Sequence, residues 1–446
     1  MKFLLYTEFG EIADLGIHLQ DEGHEVLFYV ENKDSRKIAD GILTHIEDWY
    51  KHIGTGVVWV FDSCSFGDLQ DWLRSKGEAV FGGCKEGDHL ENDRQAGQDW
   101  FKEAGFDQVE SRNFKDFESA SKFVEANTDR RWILKQVGDA PKSLSHMGKF
   151  DDGSDMLYHL DELKKRWNEA EFGPIDFDLM EVVEGLEVAA SAFFNGTDWM
   201  KDADGKVAGY LNFEEKKETD GGLGETTGEL GTTFWGCNED NDLFREMICR
   251  PEIKDRLQKI GFHGVFDINC IVTDDGKIVA LEPTCRFGVP ATAYEFCEGM
   301  ESGAGELINA VATGRDKSVA LYQGWGMVSV VAAKPFPLEA DVEDEATSIG
   351  ERLWPLKDGE PIKDFTPEQM RRIHFYNIKR DEEGYKVATK SGYILTVTGK
   401  GSGIKEVREE ILEFIKDNML LVGAKYRQDI GLRVEEYEKE AKDDRN

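Results

Sequence analysis

The stretch "DINCIVTDDGKIVALEPTCRFGVP", residues 267–290, places a turn signal between two apolar runs. Asp275-Gly276 is typical of a two-residue type I′ turn, and this dipeptide between apolar runs is a strong short-range signal of a β-hairpin. We therefore predict a hairpin in which Asp274 pairs directly with Lys277.

Four oxygen-bearing side chains share one face of this predicted hairpin. In the register set by the turn, Asn269 lies opposite Glu282, and Asp267 lies opposite Thr284. Side chains alternate along a strand, so these four point to one side while apolar side chains form a core face on the other. The predicted core face consists of Phe266, Ile268, Cys270, Val272, Val279 and Leu281.

The cluster has the composition of a site for a hard cation. Oxygen ligands within about 5.5 Å of one another across two strands suit Mg²⁺, and a Mg²⁺ that bridges the phosphates of a nucleotide is the natural occupant. Arg286 follows the second strand and could hold an anion with two hydrogen bonds. An ordinary polar face exposed to solvent is the alternative, because antiparallel sheets commonly have one.

The overall composition argues against several classes of protein. The chain has 446 residues, and its net charge of -35 opposes binding to nucleic-acid backbones or anionic membranes. It has no apolar run of about 18 residues and no recognisable signal peptide, so we expect no membrane span. The seven cysteines are scattered and include no CxxC pair, which favours a reducing, cytoplasmic location and argues against structural zinc.

Length and element pattern predict a multi-domain protein of the α/β and α+β class. Strands alternate with helices over residues 1–92, which is typical of a small parallel α/β domain. Residues 93–323 are predicted to form a central domain that includes a compact α+β lobe at about 110–195. Residues 324–446 are predicted to form a C-terminal mixed α/β domain, whose charged tail we expect to fray.

Three further features could serve a nucleotide, although each has a plainer alternative. Lys135 ends an apolar strand, a position suited to a phosphate or to a lysine that reaches solvent along its stem. Glu181 and Glu187 flank a strand–turn–strand and could meet an adenine or a ribose, or could form a plain acidic turn. Residues 219–231, "TDGGLGETTGELG", are predicted to be a loop whose N–H groups could lie against phosphate, or a lid or linker.

The order of these features resembles the ATP-grasp ligases and is most similar to the phosphoribosylamine–glycine ligase family. The resemblance spans nearly the whole chain. "LEPTCRFGVPAT" (281–292) is similar to the family's E-F-N-x-R-F-G-D-P-E-T, and "EVVEGLEVAASAFFNG" (181–196) to its E-F-L-x-G-E-E-A-S hinge. "KKETDGGLGETTGELG" (216–231) keeps the length and several glycines of its K-R-x-x-x-x-D-T-G-P-N-T-G-G-M-G loop, and "YRQDIGLR" (426–433) is close to its Y-R-x-D-I-G segment.

The resemblance implies an ATP-grasp fold that begins with a pre-ATP-grasp domain, with ATP bound between the 110–195 lobe and the central core. It implies that a carboxylate is activated by the γ-phosphate of ATP and then attacked by an amine. The implied cofactors are ATP and Mg²⁺, or Mn²⁺ in its place. The residues implied at the nucleotide are Lys135 at the phosphates, Glu181 and the Val183 backbone at adenine, Glu187 at the ribose, and Lys216.

The resemblance also implies the metal ligands and the catalytic residues. Arg286 would steady the carboxylate or the acyl phosphate, and Lys216 would act beside the nucleotide. The implied metal ligands are Glu282, as the principal one, with Thr284, Asn269 and Asp267.

Several positions depart from the family pattern. The G-N-G-G-R-E turn is "TEFGEIA" here, with only Gly10 matching, and the G-P-E-x-P-L turn is "DSCSFGD" (62–68). Both turns hold the ribose phosphate of the family's amine substrate, so their change leaves the amine open. The other departures are Thr284 in place of the metal-binding Asn, Val289-Pro290-Ala291 in place of D-P-E, and Lys142, which lies one place early in the lobe loop.

We therefore predict an ATP-dependent carboxylate–amine ligase. Its partners would be a small carboxylate, such as glycine or another small amino acid, and an amine, with no direct binding to nucleic acid or membrane. The alternative is a non-catalytic protein derived from such a ligase that only holds ATP. The changes at Thr284 and Val289-Pro290-Ala291 favour this alternative, whereas the presence of Lys135, Glu187, Glu282 and Arg286 favours the ligase.

Overall fold

The computed structural model describes residues 1–136, 146–169, 174–288, 290–337 and 346–443. The chain divides into two compact units. The first unit comprises Met1–Ala104, Glu187–Cys270 and Leu281–Asn446, and the second comprises Gly105–Leu186 and Ile271–Ala280. Lys142 and Val289 lie outside the described residues. The domain boundaries predicted from the sequence stay predictions.

A parallel five-stranded sheet forms from the first part of the first unit. Phe3 and Leu4 point to opposite faces of its central strand and both are fully buried, as expected for a parallel sheet covered on both sides. Its strands are β1 (Lys2–Thr7), β2 (Glu25–Val30), β3 (Thr44–His45), β4 (Val58–Phe61) and β5 (Ala79–Phe81), in the order β3-β2-β1-β4-β5. The helices of this region are α1 (Ala13–Asp21), α2 (Gly67–Ser75), α3 (Lys85–Asn92) and α4 (Arg94–Glu103).

In its described residues, the second unit contains an antiparallel sheet and two helices. Its apolar core joins Trp132 and Phe177 of the sheet to Leu163 of a helix, so the helices bury one face of the sheet. Its strands are β6 (Ser111–Phe114), β7 (Trp132–Gln136), β8 (His146–Met147) and β9 (Phe177–Glu181), in the order β6-β9-β7-β8. Its helices are α5 (Phe117–Glu125) and α6 (Ser154–Glu169).

The rest of the chain builds two larger sheets and one small one. The strands are β10 (Leu186–Asn195), β11 (Ala208–Glu214), β12 (Lys217–Thr219), β13 (Leu223–Thr226), β14 (Gly231–Asn238), β15 (His263–Val272), β16 (Ile278–Thr284), β17 (Trp325–Ala332), β18 (Arg352–Lys357), β19 (Glu360–Pro361), β20 (Ile373–Phe375), β21 (Ile378–Asp381), β22 (Gly384–Val387), β23 (Tyr393–Gly401) and β24 (Met419–Leu420). The helices are α7 (Asp242–Ile248), α8 (Pro251–Ile260), α9 (Ala304–Ala312), α10 (Pro367–Met370), α11 (Ile404–Asn418) and α12 (Leu432–Asp443), with a π-helix at Ala293–Glu298.

The main sheet has eight strands in the order β16-β15-β10-β11-β14-β17-β23-β20. Its pairings from β10 through β11, β14, β17 and β23 to β20 are antiparallel. A second sheet of the C-terminal region has the order β19-β18-β22-β21, with β24 added to β18. The predicted hairpin strands, β15 and β16, lie at one edge of the main sheet.

Two local predictions were wrong. Residues 219–231 are not simply a loop, because β12 and β13 pair as a small antiparallel sheet there. The charged tail forms α12, and it is held by an ion pair of 2.7 Å between Arg408 and Glu435. In both segments, contacts with residues that are distant in the sequence stabilise a regular structure that the composition of the segment does not favour.

The combination of one parallel and several antiparallel sheets with helices confirms the predicted α/β and α+β multi-domain class. All seven cysteines are free thiols. Within the described ranges, no helix is both long enough and apolar enough to cross a membrane.

Candidate functional site

A cavity of about 230 Å³ in the first unit gathers most of the residues that the sequence singled out. It lies over the polar face of β15 and β16 and the end of β11, and a larger surface cleft at Thr197–Asp202 contains none of the predicted residues. The lining includes Glu214, Lys216, Gly228, Glu229, Val265, Asp267, Asn269, Glu282, Thr284, Arg286, Phe287, Gly288, Ala291, Tyr294 and Glu295.

The turn of the hairpin is one residue longer than predicted. The N–H of Thr273 donates to the carbonyl of Lys277 at 3.0 Å, and the N–H of Gly276 donates to the carbonyl of Thr273 at 2.9 Å. The loop therefore has three residues, and Gly276 takes the positive φ of 81° that it requires. The two-residue prediction was wrong because the Thr273 hydroxyl accepts the Lys277 N–H at 3.0 Å and replaces one bond of the shorter turn.

The four predicted ligands nevertheless share one cavity. A ladder running without interruption from the longer turn would place Glu282 opposite Ile268, on the apolar face. The structure instead lines the cavity with Asp267, Asn269, Glu282 and Thr284. The four residues therefore line one cavity although the turn is one residue longer than predicted.

The four predicted metal ligands differ in exposure. Glu282 is exposed and Thr284 is half-buried, whereas Asn269 is only 4% exposed and its Oδ1 atom has no hydrogen-bond partner in the described part of the protein. Burial, together with the neighbouring carboxylates of Glu214 and Glu295, holds the pKa of Asp267 well above its usual range. Unpartnered buried oxygens of this kind are normally satisfied by a ligand, ion or water.

Lys216 is held between two carboxylates. Its Nζ donates to Oε1 of Glu187 at 2.6 Å and lies 3.1 Å from Oε2 of Glu214. Burial opposes the charged form of Lys216, but Glu214 and Glu187 outweigh it and raise its pKa. Burial raises the pKa of Glu214 despite this contact. The structure thus brings the predicted Lys216 and Glu187 together.

Arg286 lines the cavity but is already paired. Its guanidinium contacts Oε1 of Glu91 at 2.9 Å, and the other oxygen of Glu91 accepts the N–H of Cys285 at 3.1 Å. Burial lowers the pKa of Arg286, and the Glu91 carboxylate more than restores it. The sequence did not indicate Glu91, because it lies in α3, nearly 200 residues away along the chain.

Three acidic residues of the cavity were missed from the sequence. Burial, then the Glu214 carboxylate, holds the pKa of Glu229 well above its usual range, and burial raises the pKa of Glu295 to about 8. Glu214 lies two places before Lys216 on the same face of the chain, which the alternation could have revealed. No local signal marks Glu229, in the glycine-rich segment, or Glu295, in the π-helix.

The other predicted nucleotide contacts lie in the second unit. Lys135 is in β7, where its backbone lies opposite that of Asp178 in the neighbouring antiparallel strand β9. Glu181 ends β9, and its carboxylate lies 3.5 Å from Arg130. Val183 follows in a half-buried segment between β9 and β10. The nucleotide-binding roles of these residues stay predictions.

The segment "YRQDIGLR" anchors the glycine-rich segment. Arg427, only 2% exposed, makes two 2.8 Å hydrogen bonds to Asp429 and donates to the carbonyl of Lys217 at 2.9 Å. It also lies 3.3 Å from Glu215. Asp429 in turn accepts the N–H of Gly221 at 2.7 Å. This network fixes the base of β12 and β13 next to the cavity-lining residues Glu214 and Lys216.

The fold is that of the ATP-grasp structural class. The solved structures that it matches include phosphoribosylamine–glycine ligase from Thermotoga maritima, with a TM-score of 0.67 and 18% identity over 96% of this chain and 100% of that one. They also include the biotin carboxylase domain of the Hydrogenobacter thermophilus 2-oxoglutarate carboxylase in complex with MgADP, ADP and bicarbonate. Its TM-score is 0.61 at 14% identity over 95% of this chain and 91% of that one.

Sequence comparison finds relatives at low identity. The chain is 23% identical over 348 residues to the bifunctional purine biosynthetic protein PUR2,5 of Pichia angusta. This alignment covers 76% of this chain but only 40% of that protein. It is also 23% identical over 377 residues to phosphoribosylamine–glycine ligase of a Nostoc species. That alignment covers 82% of this chain and 81% of that protein. No protein-family profile matches the chain. The predicted resemblance to ATP-grasp ligases, and to phosphoribosylamine–glycine ligase among them, is confirmed.

Proposed function

We propose that the protein is an ATP-dependent carboxylate–amine ligase that forms an amide through an acyl phosphate. The observation that carries the proposal is the cavity itself. It combines an oxygen-donor set on β15 and β16 with Lys216 and Arg286, the two cations needed beside transferring phosphate and carboxylate groups. The likeness to ligases in fold and sequence supports the same chemistry.

The donor set fits a divalent metal ion. Glu282 offers an exposed carboxylate, and Asn269 offers a buried amide oxygen that has no other partner among the described residues. With Thr284 and Asp267 these are all oxygen donors, which suit Mg²⁺ or Mn²⁺ rather than metals that prefer nitrogen or sulfur. When bound, the ion would neutralise charge on the nucleotide's phosphates.

The proposed reaction has two steps. In the first, a carboxylate oxygen of the substrate attacks the γ-phosphorus, the bond from γ-phosphorus to the bridging oxygen breaks, and ADP leaves with that electron pair. In the second, the neutral amine attacks the acyl carbon, phosphate leaves with the electrons of the C–O bond, and the amine loses one proton. Arg286 would steady the carboxylate and Lys216 the phosphates, mostly by electrostatics and positioning.

The carboxylate substrate is a small one, glycine or another small amino acid. The cavity of about 230 Å³ is small, and the resemblance to phosphoribosylamine–glycine ligase supports an amino acid. The protein would act on small molecules and would not bind nucleic acid. Its cytoplasmic location stays a prediction.

An ADP-release assay tests the proposal. The protein is mixed with Mg-ATP and a panel of amino acids and amines, and ADP, phosphate and amide are measured. Turnover that needs both co-substrates is expected. Glu282→Gln should reduce it by roughly 100-fold or more, as removal of one stabilising group commonly does, and Glu301→Gln, an exposed residue outside the cavity, should leave it unchanged. ATP binding without turnover across the whole panel would favour a non-catalytic ATP-binding protein instead.

A further inference from the structure

A second cluster of side chains that can bind a metal ion lies in the first unit, outside the cavity. It consists of Asp14 from α1, Cys297 from the π-helix and His374 from β20, and one ligand atom of each lies within 4.8 Å of the other two. Asp14 is 2% exposed, His374 is 6% exposed and Cys297 is half-buried. A carboxylate oxygen, a thiolate sulfur and an imidazole nitrogen together form a ligand set that suits Zn²⁺.

The spacing of the three ligand atoms is close to that around a bound ion. Tetrahedral Zn²⁺ holds oxygen, nitrogen and sulfur at about 2.0–2.3 Å, so its ligand atoms lie roughly 3.3–3.8 Å apart. Atoms that already lie within 4.8 Å of one another need to approach by at most roughly 1–1.5 Å, which is within the reach of side-chain rotation. The three residues come from distant segments, so no CxxC spacing marks them, and the sequence alone argued against structural zinc.

The hydrogen bonds around His374 leave a lone pair on one ring nitrogen. The hydroxyl of Thr398 donates to Oε2 of Glu298 at 2.8 Å, so its oxygen must accept the N–H of Nε2 of His374, which lies 3.0 Å away. Burial lowers the pKa of His374 to about 3, so the ring is neutral and Nδ1 carries the lone pair. A ring whose second nitrogen is held by an outer hydrogen-bond partner is the usual arrangement of a metal-binding histidine.

The two acidic ligands match the charge of a divalent ion. The Asp14 carboxylate is fixed by the Thr292 hydroxyl, which donates to Oδ2 at 2.5 Å, and by the Leu15 N–H, which donates to Oδ1 at 2.7 Å. Burial raises the pKa of Asp14 to about 7 and holds that of Cys297 well above its usual range, so both charged forms are unfavourable without a cation. A divalent ion neutralises both charges and deprotonates a thiol that it binds.

Two buried hydroxyls beside the cluster lack partners. Thr396 of β23 lies directly opposite His374 of β20, so the two side chains share one face of the sheet, roughly 5 Å apart. Oγ1 of Thr396 and the hydroxyl of Tyr376 are buried, and neither has a partner within hydrogen-bond distance in the described part of the chain. Burial, then the charge of Asp14, raises the pKa of Tyr376, which places this hydroxyl near the carboxylate.

These hydroxyls account for the fourth position of a tetrahedral site. Among the described residues, no other histidine, cysteine or acidic ligand atom joins the cluster. A water molecule would complete the coordination, and the Thr396 and Tyr376 hydroxyls would hydrogen-bond to it.

The same three residue types could form a nucleophilic triad, but the local chemistry opposes that role. A reactive cysteine needs a lowered thiol pKa and a histidine that takes its proton. Burial instead raises the pKa of Cys297 and lowers that of His374. The N–H of His374 is also directed to Thr398 and not to Asp14.

We propose that Asp14, Cys297 and His374 bind a zinc-type divalent ion, separate from the metal site of the cavity. The ion would join three segments, since α1 packs against both the π-helix and β20. Its role is structural. Because Glu295 lines the cavity and lies two residues before Cys297, the ion would also hold the helix that carries Glu295. The proposal does not rest on the ligase function.

Spectroscopy with Co²⁺ tests the proposal on the full-length protein. The protein is treated with a chelator, dialysed and titrated with Co²⁺ in excess Mg²⁺, which competes for oxygen donors but not for thiolate and imidazole. We expect a thiolate-to-Co²⁺ charge-transfer band in the near ultraviolet that saturates at one Co²⁺ per chain and disappears when Zn²⁺ is added.

Variants identify the ligands. Cys297→Ser should abolish the band and weaken Zn²⁺ binding, measured against an indicator dye, by roughly 100-fold or more. Cys249→Ser changes another half-buried cysteine, outside the cluster, and should retain both. Thr398→Val keeps all three ligands but removes the acceptor of the His374 N–H, so it should keep the band and weaken Zn²⁺ binding by roughly 10- to 100-fold.

Three outcomes would overturn the proposal. The first is the absence of a thiolate band when the original protein is titrated with Co²⁺, which requires no variant. The second is a band that survives in Cys297→Ser when circular dichroism and the thermal midpoint of the metal-free form show that this variant is folded. Should Cys297→Ser fail to fold, unchanged Zn²⁺ affinity in Thr398→Val is the third.

Discussion

Replacing Glu295 by Gln should stabilise the ligand-free protein, and the gain should depend on pH. Burial raises the pKa of Glu295 from an ordinary 4.5 to about 8 in the folded protein. As the pH rises above 4.5, the unfolded chain loses this proton while the folded protein keeps it. The stability of the folded protein therefore falls between pH 4.5 and about pH 8, and is lowest above that range.

The expected gain follows from the same numbers. At pH 7 the folded carboxyl is held protonated about 2.5 pH units above its ordinary pKa, and each unit corresponds to about 1.4 kcal/mol, so the cost is about 3 kcal/mol. Gln is neutral at every pH and nearly isosteric. Glu295→Gln should therefore gain up to about 3 kcal/mol at pH 7 and almost nothing at pH 4.5.

Urea denaturation at pH 4.5, 6, 7 and 8 measures the effect as a shift of the unfolding midpoint, with Glu301→Gln as the exposed control. The difference between the Glu295→Gln variant and the original protein should widen with pH, and the control should show no such trend. A gain that is the same at all four pH values, or a loss at pH 8, would refute the reasoning that an uncompensated buried carboxyl destabilises this site.

Three further predictions concern the site and its support. Arg427→Met removes the nearer of the two arginines beside the buried carboxylate of Glu215, the other being Arg433 at 4.0 Å, so denaturant midpoints should show a loss of about 3–5 kcal/mol. Limited proteolysis should also cut the glycine-rich segment faster. Lys216→Met should weaken Mg-ATP binding, which calorimetry can measure, or slow ADP release, in either case by roughly 10-fold or more. Chelation with EDTA should abolish ADP release, and adding Mg²⁺ or Mn²⁺ should restore it, whereas failure of both ions would contradict the metal assignment.

The sequence predicted the parts of the site that depend on local pattern. Alternation along β15 and β16 placed Asp267, Asn269, Glu282 and Thr284 on one face, and the Asp-Gly pair located the hairpin. The length of the turn could not be predicted in the same way, because it depends on one hydroxyl of Thr273 competing for a backbone N–H.

The missed residues depend on contacts between distant parts of the chain. Glu91 reaches Arg286 across 195 residues, and Arg427 reaches Lys217 across 210. The burial of Glu229 and Glu295 follows from the tertiary structure around the cavity, and neither residue belongs to a periodic pattern. Local propensity carries no information about such contacts, although the match of "YRQDIGLR" to the family pattern did mark the segment as special.

Transfer of isotope from the carboxylate to phosphate tests the central claim most directly. The protein is supplied with Mg-ATP, a productive amine and glycine, or whichever amino acid of the panel supports ADP release, labelled with ¹⁸O in its carboxylate. An acyl phosphate requires that the released phosphate carry one ¹⁸O, which mass spectrometry detects. Amide formation with unlabelled phosphate, or labelled phosphate formed equally well by Glu282→Gln, would contradict the mechanism assigned to this cavity.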